Sequence, residues 1–264
     1  MDYKQILLDK KNGVATITLN RPKLMNPLST VVALEVQDAV RDIEADDSIN
    51  VVVLTGAGKN FSAGGDLTEQ ENRNKSDDPH ELGYFLKDIK DFFDALYYCS
   101  KPTIAMIRGY ALAGGIEMTL ICDMAVIAED ATIGDQHINN ALIGGICTTV
   151  HLPRAIGFKK ANELVYTGLW IDGKEAERIG LVNYAVPDDK LEEETYKLAA
   201  KVASKSRYVL AESKALMLQQ REIPLPNALD HGLMALKYVL GNSADTAEAW
   251  AAFQEKRKPV YKGR

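Results

Sequence analysis

Runs of β-branched residues alternate with helix-length amphipathic stretches through the first half of the chain, and this alternation leaves few architectures open. Ile6 to Leu8 and Val14 to Leu19 are β-rich, and the Lys-Lys-Asn-Gly between them is hairpin turn chemistry. Thr30 to Ile43 carries Val31, Leu34, Val36, Val40 and Ile43 near helical spacing, and Val51 to Leu54 then reads as a buried strand. Glu81 to Tyr98 repeats the helical pattern, Pro102 punctuates it, and Thr103 to Ile107 is a further short apolar strand. A helix beginning near Gly114 and a strand over Met124 to Ala128 continue the series, which predicts an α/β layer with parallel pairing. From Lys159 onward helical patterns dominate: Lys160 to Thr167, Lys174 to Ile179, Leu191 to Ser204, Tyr208 to Gln220, Ala228 to Leu240 and Ala244 to Lys256. Pro187 and the Pro224 and Pro226 pair fall between these patterns, and the chain holds no repeat or low-complexity tract. The expected organisation is one folded unit, with a core over residues 1–195 and a helical region over 196–264.

With 264 residues, 46% hydrophobic and 26% charged, the chain can bury a sizeable core without staples. Its 31 basic and 37 acidic residues give a net charge of −6 with no long basic stretch, so nucleic acid is not an expected partner. Lys256-Arg257-Lys258 is the only concentrated basic run; it suits a solvated helix end or a contact with the phosphates of a small anionic ligand. Cys99, Cys122 and Cys147 lack CxxC spacing and are odd in number, which fits a reducing cytoplasm. The opening MDYKQILLDKK is charged throughout, and no apolar run approaches the roughly 20 residues of a membrane span.

Two glycine-containing segments follow strands: Phe61-Ser-Ala-Gly-Gly-Asp-Leu67 and Gly109-Tyr-Ala-Leu-Ala-Gly-Gly-Ile-Glu117. Each Gly-Gly pair can be a tight turn, or can bring backbone N–H groups against a ligand. Gly56-Ala-Gly-Lys-Asn60 is no phosphate loop, because the upstream glycine and the magnesium-binding hydroxyl are both missing. No GxGxxG accompanies these glycines, and His80 and His151 lack neighbours at metal-ligand spacing, so no metal is expected.

Taken together in order, these segments resemble the enoyl-CoA hydratase/isomerase, or crotonase, superfamily. The resemblance is carried by Asn20-Arg-Pro-Lys-Leu-Met-Asn26 with Leu28, Val51 to Gly56, both glycine segments, Lys101-Pro102 and Cys122-Asp123. It continues through Ala131-Thr-Ile-Gly134, Leu152-Pro-Arg154, Gly173 to Val182 and Ala252-Phe-Gln-Glu-Lys-Arg-Lys-Pro259, and so spans nearly the whole chain. It implies a crotonase-like spiral of ββα repeats followed by a C-terminal helical trimerisation region, assembled as a homotrimer or a dimer of trimers. It also implies an acyl-CoA substrate, with coenzyme A entering as part of that substrate and no tightly bound cofactor.

Carried over position by position, the resemblance assigns oxyanion-hole amides to Gly65 and Gly114, with Gly114 opening a helix whose dipole favours an anion. Glu117 matches one of the two glutamates with which similar hydratases hold and activate water; a first-turn glutamate is otherwise a capping or solvated residue. The second glutamate's place falls on His137, within Gly134-Asp-Gln-His-Ile-Asn-Asn140. An imidazole there can relay protons near pH 7, or can line the pocket and bond a backbone carbonyl. Asp135 is a further acidic candidate or a turn residue. Coenzyme A contacts are expected around Lys23, Leu24, Ser62, Ala63, Gly65, Asp66 and Leu67, with Tyr110 supporting the oxyanion loop and Lys256 adding positive charge. The polar stretch Glu69 to Glu81 suits a mobile flap or an ordinary surface loop. The implied reaction is hydration or dehydration of an enoyl-CoA. Double-bond isomerisation, decarboxylation and hydrolysis of a cyclic acyl-CoA use the same oxyanion hole, and a silent acyl-CoA-binding scaffold is the reading of another class.

Overall fold

A computed structural model describes residues 2–75 and 78–263. Strands β1 (Ile6–Lys11) and β2 (Val14–Leu19) form the expected antiparallel hairpin. Its turn residues Asn12 and Gly13 both have positive φ, 54° and 80°, the twist a two-residue hairpin requires. Helix α1 (Thr30–Glu44), capped by the Ser29 hydroxyl, crosses to β3 (Val51–Gly56), which lies parallel to β2. The buried face of α1 is Val32, Ala33, Val36, Ala39, Val40 and Ile43, whereas Val31 and Leu34 of the expected stripe face outward. Two small alanines set the phase, and they weigh little in a hydrophobic pattern.

Helices α2 (Leu67–Asn74) and α3 (Glu81–Tyr97) lead to β4 (Thr103–Ile107), parallel to β3. The first part of the stretch expected as a flap or loop is therefore helical. Asp66 caps α2 through the Thr68 and Glu69 amides, and the Arg73 guanidinium pairs with Glu69 and sits 3.4 Å over the Phe85 ring of α3. Residues 76 and 77 of that stretch lie outside the described residues.

After β4 come β5 (Tyr110–Leu112), α4 (Gly114–Ile121), β6 (Met124–Ala128) and β7 (Thr132–Gly134). They are followed by α5 (Thr148–Ile156), α6 (Phe158–Thr167), β8 (Trp170–Asp172), α7 (Gly173–Arg178) and β9 (Tyr184–Val186). One sheet runs β1-β2-β3-β4-β6-β9, parallel from β2 onward, and a small second sheet runs β5-β7-β8. β3 and β4 are apolar almost throughout and buried, as parallel strands covered on both faces must be. The sequence gives no sign of α5, which carries Pro153 within it.

Helix α8 (Leu191–Ala203) lies along β2, β3, β4 and β6, burying Leu191, Thr195 and Ala199. Residue 195 thus falls inside a helix that belongs to the sheet. The helices standing beyond it are α9 (Arg207–Gln220), α10 (Leu225–Asn242) and α11 (Ala244–Gln254). Pro226 sits in the first turn of α10, where its missing N–H costs nothing.

Candidate active site

The parallel register of β3 and β4 brings the segments after Gly56 and Ile107 side by side at the carboxyl ends of their strands, where open α/β sheets place their ligands. One short bridge stitches these segments together and a second ties the first of them to Leu28. Ser62 N–H donates to the Tyr110 carbonyl at 2.9 Å, and Leu112 N–H donates to the Ser62 carbonyl at 3.0 Å. Leu28 N–H donates to the Gly64 carbonyl at 2.8 Å, and Asp66 N–H to the Leu28 carbonyl at 3.0 Å. In that parallel bridge the N–H of Gly65 itself points away from Leu28.

Close backbone approach explains the glycines. A Cβ on Gly64, whose φ is 102°, would lie 2.7 Å from the Ala113 Cβ, and one on Gly115 would lie 2.6 Å from the Ser62 carbonyl oxygen. A Cβ on Gly114 would lie 3.9 Å from the Gly65 nitrogen, so the two amides expected as a pair are neighbours. Ala113, which precedes α4, holds φ 49° and ψ −113°, a strained conformation for a side-chain-bearing residue. Among the described residues neither the Gly65 nor the Gly114 N–H donates a hydrogen bond within the chain. A carbonyl oxygen lying between them would receive two donors and the N-terminal end of α4.

Glu117 lies one turn into α4 and is buried. Its Oε1 accepts from the Cys147 amide at 3.0 Å and the Thr148 amide at 3.4 Å, which fixes the carboxylate against the start of α5. No hydrogen bond goes to Oε2 among the described residues, which leaves that oxygen for chemistry. Burial, reinforced by the Glu117 charge, pushes the Cys147 thiol up, so this cysteine is no nucleophile near neutral pH.

His137 is mostly buried in the segment after β7, its Nδ1 paired with Asp135 Oδ1 and its amide 3.3 Å from the same oxygen. Burial opposes charge on the ring, but the Asp135 hydrogen bond and the charges of Glu117 and Asp135 outweigh it and raise the imidazole pKa above its ordinary value. The segment is pinned from outside. Gln136 Oε1 accepts from the Trp170 indole at 2.8 Å, and the Asn139 amide donates to the Gly168 carbonyl at 3.2 Å.

Lys23 and Leu24 are exposed on a tight turn, Pro22–Leu24, held beside the first glycine segment by the buried Asn26. Asn26 Nδ2 donates to the Ala57 and Asn60 carbonyls at 2.9 and 2.7 Å, and the Ala63 amide donates to the Met25 carbonyl at 2.9 Å. Ser62 is buried and its hydroxyl accepts from the Gly64 amide. The Asp66 carboxylate is occupied, capping α2 and pairing with Arg21 at 2.5 Å, whereas Leu67 stands open to solvent. Tyr110 is part-exposed with its ring edge-on to Trp170. Lys256 lies past the end of α11 rather than within it. Sequence reasoning missed the Cys147 and Thr148 amides, since a backbone donor leaves no mark in residue type. Among the described residues no group of three His, Cys, Asp or Glu is placed to hold a metal ion.

The architecture, a spiral of strand and helix units with paired glycine amides beside a buried glutamate, is that of the crotonase-like fold. Comparison with known proteins narrows this further. The enoyl-CoA hydratase/isomerase family matches residues 9–264, and the chain belongs to that family. A crotonyl-CoA hydratase from Syntrophomonas wolfei is 33% identical over 262 residues, covering 99% of each chain. An enoyl-CoA hydratase structure from Bacillus anthracis gives a TM-score of 0.93 at 35% identity, covering 99% of this chain and 100% of that one. One from Mycobacterium smegmatis gives 0.90 at 30% identity, covering 98% and 99%.

Proposed function

We propose that the chain hydrates an enoyl-CoA, and catalyses the reverse dehydration, through a thioester enolate. The observation that carries this reading is the grouping of two glycine amides, unpaired among the described residues, with a fixed, buried glutamate, within a chain similar along its length to a crotonyl-CoA hydratase. The thioester oxygen lies between the Gly65 and Gly114 amides. Glu117 Oε2 takes a proton from water as the water oxygen bonds to the β-carbon. The double-bond electrons move onto the thioester oxygen, where each preorganised amide stabilises the transition state by about 2.7–4 kcal/mol. As the enolate collapses, His137 Nε2–H protonates the α-carbon. The proton held by Glu117 then returns to His137 and resets the pair.

Coenzyme A enters as part of the substrate and lies along Lys23, Leu24 and the backbone from Ser62 to Gly65, close to Tyr110. The helices beyond α8 assemble the chain into a trimer or a dimer of trimers. Their exposed Leu229, Leu233, Leu236, Trp250 and Phe253 support this, because an apolar surface of that extent asks for cover. The three cysteines are free thiols, which supports a reducing cytoplasm as the compartment, and no helix among the described residues is long and apolar enough to cross a membrane.

Incubation with crotonyl-CoA in heavy-oxygen water tests the assignment. Gain of one labelled water with loss of enoyl absorbance is the expected result. A shifted double bond at unchanged mass would make the chain an isomerase.

A further inference from the structure

A buried acid stands behind the buried histidine. Asp135 is 1% exposed, and its Oδ1 meets both the ring Nδ1 and the backbone amide of His137. Its other oxygen, Oδ2, is buried with no hydrogen-bond partner among the described residues. An isolated buried carboxylate is costly, and here the group that compensates it is the imidazole. The ring also has a shaped neighbour. A Cβ on Gly144 would lie 2.7 Å from Thr148 Cβ and 3.2 Å from His137 Nδ1, so Thr148 and, less closely, the ring both pack against the backbone at this glycine. The charged and titratable groups facing the ring are Asp135 from its own segment and Glu117 from α4.

The geometry points to Asp135 as the positioning residue of the proton donor, an Asp135–His137 dyad that locks Nδ1 inward and leaves Nε2 to carry the mobile proton. This rests on the assignment of His137 as the acid of hydration. A carboxylate on Nδ1 holds the ring in one orientation and one tautomer and stabilises the imidazolium needed before each protonation of the α-carbon. In this reading a histidine with a dedicated acid performs the task that a single carboxylate would otherwise perform.

The test uses Asp135→Asn with ¹⁵N-histidine NMR and pH–rate profiles on the full-length protein. The chain has only four histidines, so a His137→Gln spectrum assigns the signal. In the wild type the neutral ring should carry its proton on Nδ1 and titrate above the ordinary histidine range. Asp135→Asn should move that midpoint down and shift the descending limb of the hydration profile to lower pH. It should also cut kcat about 10²-fold with KM within a few-fold, since loss of orientation acts on the chemical step. An unmoved midpoint and limb in Asp135→Asn would reduce Asp135 to a loop-forming residue. Should that variant fail to fold, a wild-type neutral ring with its proton on Nε2 overturns the proposal alone. Full turnover in His137→Gln would instead remove the hydration roles, while the wild-type tautomer still reports on the dyad.

Discussion

Glu117 Oε1 accepts the Cys147 N–H at 3.0 Å, so the first turn of α4 is tied to the start of α5 through one carboxylate oxygen, while the other accepts no hydrogen bond among the described residues. In the proposed hydration the bound oxygen is structural and the other takes the proton from water, which lets one substitution separate the two jobs. In Glu117→Gln the amide oxygen still accepts from Cys147 and Thr148, but the group can no longer take a proton from water. Hydration of crotonyl-CoA should fall about 10²- to 10⁴-fold, and the unfolding midpoint should stay within about 2 °C. Full turnover in this variant would take Glu117 out of the mechanism.

Adjacent loops make opposite demands on two glycines. Gly64 has φ 102°, and a Cβ there would lie 2.7 Å from Ala113 Cβ and 3.1 Å from the Leu112 carbonyl, so both torsion and space forbid a side chain. Gly114 has an ordinary helical start, and a Cβ there would meet its nearest atom at 3.5 Å. Gly64→Ala should therefore destabilise by about 1–3 kcal/mol or more in urea unfolding, while Gly114→Ala stays close to wild type. Equal losses in the two variants would mean that the loops repack around an added methyl.

Much of this was legible in the residues. Strands β3, β4 and β6 were marked by dense β-branched and apolar runs, and the glycine segments by their position after strands. Helix α2 was not, because Thr-Glu-Gln-Glu-Asn-Arg has no apolar stripe; the Asp66 cap and the Arg73 contact with Phe85 hold it in place of one. The extent of α1 was read closely and its face in part: Val36, Val40 and Ile43 of the expected stripe are buried, but Ala33 and Ala39, buried without being strongly hydrophobic, take the places expected for Val31 and Leu34. Glu117 and His137 were singled out as candidates by position, whereas the pairing of His137 with Asp135 depends on a backbone turn that places both side chains against one another. Residues two apart on an extended strand share a face, so spacing alone does not distinguish a dyad from a turn residue.

Asp66 gives a clean separation of cap from ion pair. Burial opposes its charge, yet the Arg21 guanidinium and the Glu69 and Thr68 amides hold its carboxyl below the usual carboxylate range. Asparagine also caps helices well, so Asp66→Asn removes mainly the charge, while Asp66→Ala removes the cap as well and should cost about 1 kcal/mol more. Because the folded pKa is depressed, the stabilisation is fully present above about pH 4 and is lost as pH falls through the folded value. Urea unfolding of wild type and Asp66→Asn should thus converge in acid. A gap that persists below the folded pKa would assign the loss to packing.

His137 runs the other way. Its imidazole pKa is raised because the Asp135 hydrogen bond and the charges of Glu117 and Asp135 outweigh burial, so the folded protein holds the ring proton more tightly than the unfolded chain does. The stabilisation is complete below about pH 6.5, the unfolded value, and is lost as pH rises through the raised folded value. Wild type should exceed His137→Gln in unfolding free energy most clearly near pH 6 and lose that advantage in mild alkali. Asp135→Asn should shrink the same advantage at low pH, because the carboxylate that favours the imidazolium is gone. An advantage that grew with pH would show that the fold prefers the neutral ring, and the acid of hydration would then have to be sought elsewhere than His137.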